Sequence, residues 1–221
     1  MVTFNIIMII ILIGLCLLSY ILGSIPTAIW YGEAYHGVDI RTLGSGNAGA
    51  TNTFRVLGKK AGSIVLFVDA FKGFLATSLS TFLFYLHLID WQTCVSLKIL
   101  FGMLAVLGHL LPIFCDFKGG KGVATLMGMV LALHPEAALV SIAVFLLVFY
   151  ISNYVSLGSM VASLVFPFLM VFKVFGDEFP ILIYFGFIVA GLVIFTHRKN
   201  LIRILQGTEN RMYLIPRKKQ S

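Results

Sequence analysis

Glycines, polar side chains and basic residues are concentrated between Ile40 and Gly62, in the stretch IRTLGSGNAGATNTFRVLGKKAG. Glycine has no Cβ, so backbone N–H groups can approach a ligand and several can point into one concavity. Hydroxyl, amide and guanidinium groups around such a concavity suit an oxyanion, above all a phosphate. We call this segment the first glycine turn and predict that it binds a phosphorylated substrate. The groups that could form the concavity are Gly44, Ser45, Gly46, Asn47, Asn52 and Arg55.

The first glycine turn has two further interpretations. Its Gly44-x-Gly46-x-x-Gly49 spacing matches the dinucleotide fingerprint, but that fingerprint requires a βαβ unit, which has no place beside a membrane helix. A flexible loop that only follows the positive-inside bias is the other alternative. If residues 50–57 form a short helix, Thr51 and Arg55 share one of its faces.

A second glycine turn, Gly119–Gly122 in the stretch FCDFKGGKGV, surrounds Lys121 with Gly119, Gly120 and Gly122. No Ser or Thr follows the lysine, so the segment is not a Walker A loop. A Gly-Gly-Lys-Gly turn that opens a helix offers N–H groups, a helix dipole and an ammonium group to a phosphate. The alternative is a tight turn with an interfacial lysine.

The third candidate segment is THRKNLIRILQGTENR, from Thr196 to Arg211. Its apolar residues Leu201, Ile204 and Leu205, set against Arg198, Arg203 and Gln206, indicate an amphipathic helix that lies in the membrane interface. His197, Asn200 and Glu209 add hydrogen-bonding groups that interfacial anchoring does not need. A solvated basic tail is the alternative.

Two polar pairs lie within apolar sequence. Asp69 and Lys72 are three residues apart, where unpaired charges would be costly, and we expect a structural ion pair ahead of a role in lining the site. Ser156 and Ser159 either contribute to the site or bond the carbonyl four residues back.

The composition indicates a membrane protein. Of the 221 residues, 59% are hydrophobic and 11% are charged, against about 25% charged residues in soluble domains. The 16 lysines and arginines outnumber the 9 aspartates and glutamates. Because no aromatic-basic recognition pattern accompanies this excess, we attribute it to contact with anionic lipid or phosphorylated substrate, not with nucleic acid. Cys16, Cys94 and Cys115 form no disulfide framework and no paired metal spacing.

We predict an all-α integral membrane protein with seven transmembrane helices, two of them short, plus interfacial segments on the cytoplasmic side. A bilayer core of about 30 Å requires roughly 20 apolar residues of helix. His134, Pro135 and Glu136 divide one long apolar stretch into the two short spans. The chain 1–221 is expected to form one domain. The predicted spans are 4–30, 62–89, 93–115, 122–133, 137–152, 156–175 and 179–197.

The basic residues predict the orientation. All lysines and arginines except Lys98 and Lys173 fall in or beside the connections after spans one, three, five and seven. The positive-inside rule places that side in the cytoplasm and the N-terminus outside. Connections around Asp90, Glu136 and Asp177–Glu178 are expected to be outer turns. The three candidate segments then share the cytoplasmic face, where we expect them to form one polyanion site.

Three stretches, GSGNAGATNTFRVLGKKAG, GHLLPIFCDFKGGKGVAT and HRKNLIRILQGTENR, resemble the signature motifs of the bacterial acyl-phosphate:glycerol-3-phosphate acyltransferase family. Ser24-Ile25-Pro26, Asp69-x-x-Lys72-Gly73 and Val155-Ser156-Leu157 also resemble family features. The resemblance implies a seven-helix enzyme of the bacterial inner membrane. It implies acyl transfer from acyl phosphate to the 1-hydroxyl of glycerol 3-phosphate, giving lysophosphatidic acid and phosphate, the first acylation of phospholipid synthesis. Neither acyl-CoA nor acyl-carrier protein is the implied direct donor.

The resemblance also implies roles for individual residues. Asn153 departs from the pattern, since a basic residue precedes Tyr-Val-Ser in many relatives. The expected catalytic groups are Ser45, Arg55, Lys121, His197, Asn200 and Glu209. The expected substrate-binding groups are Gly44, Gly46, Asn47, Asn52, Gly119, Gly120, Gly122, Ser156, Ser159 and Arg203.

The proposed chemistry agrees with these residue types. An acyl phosphate is an activated mixed anhydride, so its transfer needs no Ser-His-Asp triad, metal or cofactor, and the chain contains neither G-x-S-x-G nor H-E-x-x-H. Bringing two phosphates together requires cations and N–H donors, and alignment alone can lower a barrier by roughly 7–11 kcal/mol. The substrate's own phosphate is the favoured acceptor of the hydroxyl proton, with His197 or Glu209 as the rival.

Two other functional classes compete with an enzyme. A transporter of a phosphorylated metabolite would concentrate polar groups near the midplane on broken helices. A membrane assembly factor would leave both glycine turns unexplained. The expected partners are acyl phosphate, glycerol 3-phosphate and membrane lipid. A protein that delivers acyl phosphate is compatible with the sequence but is not identified by it.

Overall fold

The computed structural model describes residues 2–176 and 179–213, and within these ranges the regular secondary structure is helical. The all-α prediction is confirmed. Some residues used to predict the orientation lie outside the described residues: Asp177, Glu178, Arg217, Lys218 and Lys219. The helices are α1 (Val2–Ser24), α2 (Thr27–His36), α3 (Ala50–Tyr85), α4 (Trp91–Leu110), α5 (Val123–Leu133), α6 (Pro135–Ser152), α7 (Val155–Val171), α8 (Pro180–Thr196) and α9 (Arg198–Leu205).

Apolar helices occupy all seven of the predicted segments, but they differ in length. Four segments in the described part of the chain are long and apolar enough to cross a bilayer: Ile6–Ser24, Ala50–Tyr85, Trp91–Cys115 and Pro135–Ser152. Helices α8 and α9 are bent by 60° and make a fifth candidate if they count as one span. Helices α5 and α7 are shorter apolar helices.

The first span ends earlier than predicted. Helix α1 ends at Ser24, and α2 follows as a separate helix instead of extending the span to residue 30. Pro26 explains the break, because proline lacks an N–H group and disfavours helical conformation in the residue before it. Helix α2 ends at His36, and the next residue, Gly37, has a φ of 64°, in the left-handed region that favours glycine.

The short helix over residues 50–57, considered above as one possibility, is present as the first part of α3. It starts at Ala50 and stops at Gly58, where φ is 87° and ψ is −176°. Those values are open to glycine and strained for other residues. The break therefore separates the helix that carries Arg55 from the long apolar part of α3 that carries Asp69 and Lys72.

The chain forms two compact units, Met1–Pro135 and Glu136–Ser221. In the first unit α1 packs on α4, and α3 packs on both α4 and α5. Glycines allow these close approaches: a Cβ on Gly73 would strike the carbonyl of Thr125, and one on Gly128 would strike that of Ala70. Small residues at such contacts are typical of helix packing in membranes.

The second unit is built around α7, which packs against α8. The rings of Phe166 and Phe185 meet edge to face with centroids 6.1 Å apart, and Gly186 leaves room for Pro167. Helix α9 contacts both α7 and α8. This packing brings the end of α9 close to the start of α7.

Candidate active site

The first glycine turn is organised by Asn52, which is 1% exposed. Its amide nitrogen donates to the carbonyl oxygens of Ile40 at 3.1 Å and Leu43 at 3.0 Å. Its amide oxygen accepts from the Ser45 N–H at 2.9 Å and from the Ser45 hydroxyl at 3.1 Å. These four bonds use the full hydrogen-bonding capacity of the amide.

Two predicted substrate contacts in the first glycine turn need correction. Asn52 has no group left for a ligand, so it shapes the turn. The N–H of Gly46 donates to the Leu43 carbonyl at 3.0 Å, so this glycine contributes its left-handed conformation, with φ of 71°, instead of a donor. Gly44 also has a positive φ, of 59°.

Ser45, Asn47 and Arg55 remain accessible for binding. Ser45 is exposed, whereas Asn47 and Arg55 are half-exposed. Arg55 lies one helical turn beyond Thr51 and makes no side-chain hydrogen bond or ion pair within the described part of the chain. A guanidinium in this position can accept a bidentate phosphate contact without first breaking an internal bond.

The second glycine turn is held against the end of α4. The N–H of Gly119 donates to the Leu110 carbonyl, and that of Gly120 donates to the His109 carbonyl, each at 3.2 Å. These two N–H groups are therefore engaged within the protein and are not among the N–H groups that the turn can offer a ligand. Their bonds satisfy carbonyls that the last turn of a helix leaves without partners.

The N–H groups that the second turn can offer a ligand are those at the start of α5. Gly122 is the residue before the helix, has φ of 78°, and no side chain caps the N–H groups of the first turn. The hydroxyl of Thr125 in that turn is fully buried and has no hydrogen-bond partner among the described residues. Lys121 lies half-buried immediately before this helix start. Uncapped N–H groups and the helix dipole favour an anion here.

The two glycine turns meet within the first unit. An ideal Cβ on Gly120 would lie 2.8 Å from the carbonyl oxygen of Ala48 and would also strike Nε2 of His109. Only a glycine fits in this gap. The structure therefore brings the first and second turns together at Ala48 and Gly120.

The second unit contains a separate polar cluster centred on Glu209. Ser156 donates to Oε1 at 2.9 Å, Asn200 donates to the same oxygen at 2.6 Å, and Arg203 donates to Oε2 at 2.7 Å. Burial raises the pKa of the Glu209 carboxyl, but these bonds outweigh that effect, so the pKa lies below its ordinary value. A carboxylate held in this way is a poor proton acceptor.

His197, Ser159 and Asn153 also belong to the second unit. Nδ1 of His197 lies 2.8 Å from the Val193 carbonyl and must donate to it, which places the lone pair of the neutral ring on Nε2. Ser159 donates to the Val155 carbonyl at 2.9 Å, the internal bond weighed above as an alternative. Asn153 has φ of 59° between α6 and α7, a conformation that asparagine tolerates.

A buried polar network not assigned to the site from the sequence lies beside the second turn. Oδ1 of Asp69 is 2.8 Å from the Lys72 ammonium and 3.0 Å from the Thr27 hydroxyl. Nδ1 of His109 is 3.7 Å from the same oxygen. The ion pair predicted from the three-residue spacing is confirmed. The sequence signal that could have identified His109 is a histidine next to Gly108 at the end of the apolar second half of α4.

Comparisons with known sequences identify the family. The family model for glycerol-3-phosphate acyltransferase matches residues 13–207. A glycerol-3-phosphate acyltransferase of Chlorobium phaeobacteroides is 41% identical over 91% of this chain and 96% of its own length. One of Salinibacter ruber is 44% identical over 89% of this chain and 90% of its own length.

Comparisons with solved structures give the same result. A crystal structure of PlsY (YgiH), an integral membrane glycerol 3-phosphate acyltransferase in its glycerol 3-phosphate form, superposes with a TM-score of 0.76 at 38% identity. The match covers 91% of this chain and 95% of that one. The lysophosphatidic acid form of PlsY gives a TM-score of 0.74 at 35% identity. The chain is an integral membrane protein of the glycerol-3-phosphate acyltransferase family.

Proposed function

We propose that this chain transfers an acyl group from acyl phosphate to the 1-hydroxyl of sn-glycerol 3-phosphate, giving lysophosphatidic acid and phosphate. This reaction is the first step of phospholipid synthesis. Family membership supports the acyltransferase activity. The observation that carries the site is the meeting of the two glycine turns at Ala48 and Gly120, which brings Arg55 and Lys121 into one unit.

The chemistry requires alignment more than covalent catalysis. The glycerol oxygen attacks the carbonyl carbon of the mixed anhydride, the new C–O ester bond forms, and the acyl C–O bond to phosphate breaks. Phosphate leaves with the bonding electron pair, so negative charge grows on its oxygens. Cations and N–H groups already in place stabilise that charge without reorganising.

In the first unit we assign phosphate binding to both turns. Ser45, Asn47 and Arg55 contribute side-chain donors, while Gly44 and Gly46 supply the backbone conformation. Lys121 and the N–H groups that begin α5 bind the charge on a second phosphate, and Gly119, Gly120 and Gly122 allow the turn to reach its position.

In the second unit we propose a further phosphate-binding role for the cluster around Glu209. Its carboxylate holds Asn200 and Arg203 in fixed orientations, and Ser156 completes the set. Glu209 therefore acts by orienting its neighbours. His197 and Ser159 remain proposed site residues of the same unit, each with a hydrogen bond to a carbonyl of its own helix region. The hydroxyl proton passes to a phosphate oxygen of the substrate, since Glu209 is held as a hydrogen-bonded carboxylate.

His197 is the remaining protein group that could accept the proton. A His197→Ala variant that keeps most of its kcat would exclude histidine as an essential base. Loss of kcat with unchanged affinity for glycerol 3-phosphate would instead assign that role to Nε2.

We further propose seven membrane spans in one functional domain, with the N-terminus outside and the C-terminus in the cytoplasm of a bacterial inner membrane. Helices α5 and α7 are then short spans. Single cysteines at Lys60 and Gln92, both exposed, in a variant without Cys16, Cys94 and Cys115, test this orientation. In intact cells a membrane-impermeant thiol reagent should label position 92 but not position 60.

The activity is tested with purified protein, synthetic acyl phosphate and labelled glycerol 3-phosphate in detergent. Lysophosphatidic acid should form, and it should not form when acyl-CoA replaces acyl phosphate. A transporter or an assembly factor makes no product under these conditions. Folded protein that produces nothing from acyl phosphate would overturn the proposal.

A further inference from the structure

The ion pair between Asp69 and Lys72 is buried between helices of the first unit. Asp69 is 1% exposed and Lys72 is 3% exposed. Oδ1 of Asp69 forms an ion pair with the Lys72 ammonium at 2.8 Å and accepts a hydrogen bond from the Thr27 hydroxyl at 3.0 Å. The ammonium also donates to the Ile25 carbonyl at 2.7 Å, which Pro26 leaves outside regular helix bonding. The pair thus ties α3 to the break between α1 and α2.

Stability alone does not account for two buried charges. Removing two charges from water costs several kcal/mol per ion in proteins, and apolar replacements of similar volume are often as stable. Glycine-mediated contacts, such as that of Gly73 with Thr125, already hold α3 against its neighbours. Charged residues inside membrane helices are therefore candidates for functional roles.

His109 connects this pair to the second glycine turn. Its Nδ1 lies 3.7 Å from Oδ1 of Asp69, which is longer than a hydrogen bond, so the ring packs against the carboxylate without being bonded to it. The other side of the ring, at Nε2, fills the space where a Cβ of Gly120 would lie. The His109 carbonyl accepts the N–H of Gly120 at 3.2 Å. Both the ring and the backbone of His109 therefore lie against Gly120.

We propose that Asp69 and Lys72 are positioning residues, which act through His109 to hold the second glycine turn against Ala48. Their effect on the reaction is to place Lys121 and the start of α5, and this role rests on the proposed function. His109 is 8% exposed, so it supports the turn and does not contact substrate.

The test compares two sets of variants. Asp69→Asn with Lys72→Met removes both charges together, which avoids leaving one of them buried and unpaired. Lys98→Met is the matched control: Lys98 is also a buried lysine, 8% exposed, and it donates to a backbone carbonyl, that of Ala132, at 3.0 Å. Lys98 lies eleven residues before His109 on α4, or roughly 16 Å along the helix.

We expect the double variant to insert into the membrane and to unfold near the wild-type temperature, but to lose roughly 100-fold in kcat/KM. Amide hydrogen exchange in the peptide that contains Gly119 and Gly120 should become faster. Lys98→Met should retain wild-type kcat/KM and exchange in that peptide. A double variant with wild-type exchange and kcat/KM would overturn the proposal.

A third variant tests the connection through His109. His109→Gln should lower kcat/KM as much as the double variant does. The triple variant should lower kcat/KM no further, because the effects of residues that act through one another do not add. Additive losses would show that the ion pair does not act through the ring. Hydrogen exchange keeps this inference separate from the proposed function: a wild-type protein without acyltransferase activity would refute that function, whereas exchange would still report whether the ion pair holds the turn.

Discussion

Asn52 and Ser45 are joined by two hydrogen bonds, from the Ser45 N–H at 2.9 Å and from its hydroxyl at 3.1 Å, both to Oδ1 of Asn52. Asn52 lies in the first turn of α3, so the helix itself fixes the conformation of the glycine turn that precedes it. Ser45 is therefore placed by a buried amide before any ligand arrives.

Asn52→Ala should destabilise the protein and reduce activity. The substitution leaves the Ser45 N–H without its partner and removes one of the two donors to each of the Ile40 and Leu43 carbonyls. A polar group left unpaired costs about 1–3 kcal/mol, so we expect a loss of that size in the free energy of unfolding. We also expect a kcat/KM roughly 100-fold lower. Denaturation in detergent and steady-state kinetics measure the two effects.

Asn47→Ala is the control for that variant. Asn47 is half-exposed and is proposed to bind substrate, so its loss should reduce kcat/KM without changing the free energy of unfolding. Equal destabilisation by both substitutions would contradict the scaffold role of Asn52.

Gly120→Ala should block the contact between the two glycine turns. The added methyl group would strike Nε2 of His109 and lie 2.8 Å from the Ala48 carbonyl oxygen, so the turn must move. We expect a kcat/KM at least 100-fold lower, the size of effect that a displacement of about 1 Å can produce. Kinetics with acyl phosphate and glycerol 3-phosphate test this expectation.

Gly191→Ala provides the comparison, since Gly191 lies within α8 and, apart from its neighbours and the helix backbone, no atom of the described residues comes within 4 Å of the added Cβ. Alanine is favoured over glycine in a helix by roughly 0.5–1 kcal/mol, so this variant should be active and slightly more stable. A Gly120→Ala enzyme with activity equal to that of Gly191→Ala would show that the turns do not need their close approach.

Sequence patterns predicted the helices better than the roles of individual polar groups. The apolar segments follow from hydropathy, which is a local property. Pro26 was a local signal that a separate helix, α2, begins after it. The apolar residues on both sides of Pro26 led instead to the prediction of one continuous span. Whether Asn52 faces a ligand or the turn, and whether His109 faces lipid or Gly120, depends on contacts between segments distant in sequence. Periodicity carries no information about such contacts.

Arg55→Ala should reduce catalysis without unfolding the protein. Arg55 is half-exposed and has no internal partner within the described part of the chain, so its removal leaves no buried group unsatisfied. Removing a preorganised donor that stabilises a developing anion lowers kcat by a factor of about 10²–10³. Lys59→Ala removes the same charge from an exposed position beyond the break at Gly58 and should remain active. Similar losses in both variants would indicate a general electrostatic effect.

Glu209→Gln should make the stability of the second unit less sensitive to acid. The pKa of Glu209 lies below its ordinary value of 4.5, because hydrogen bonds to the carboxylate outweigh the effect of burial. A carboxyl with a lowered pKa contributes stability that is fully present above its unfolded pKa and is lost as the pH falls through the folded one. The wild type should therefore have a higher Tm than Glu209→Gln from about pH 5.5 to 7.5.

That difference in Tm should shrink as the pH falls below 4.5, as the wild type loses the carboxylate that accepts from Ser156 and Arg203. Glu33→Gln is the matched control, since it removes an exposed carboxyl on α2. Thermal unfolding in detergent across this pH range measures both variants. A Tm difference for Glu209→Gln that stays constant into acid would mean that the hydrogen bonds do not depend on the charge of Glu209, and the cluster would then be held by packing alone.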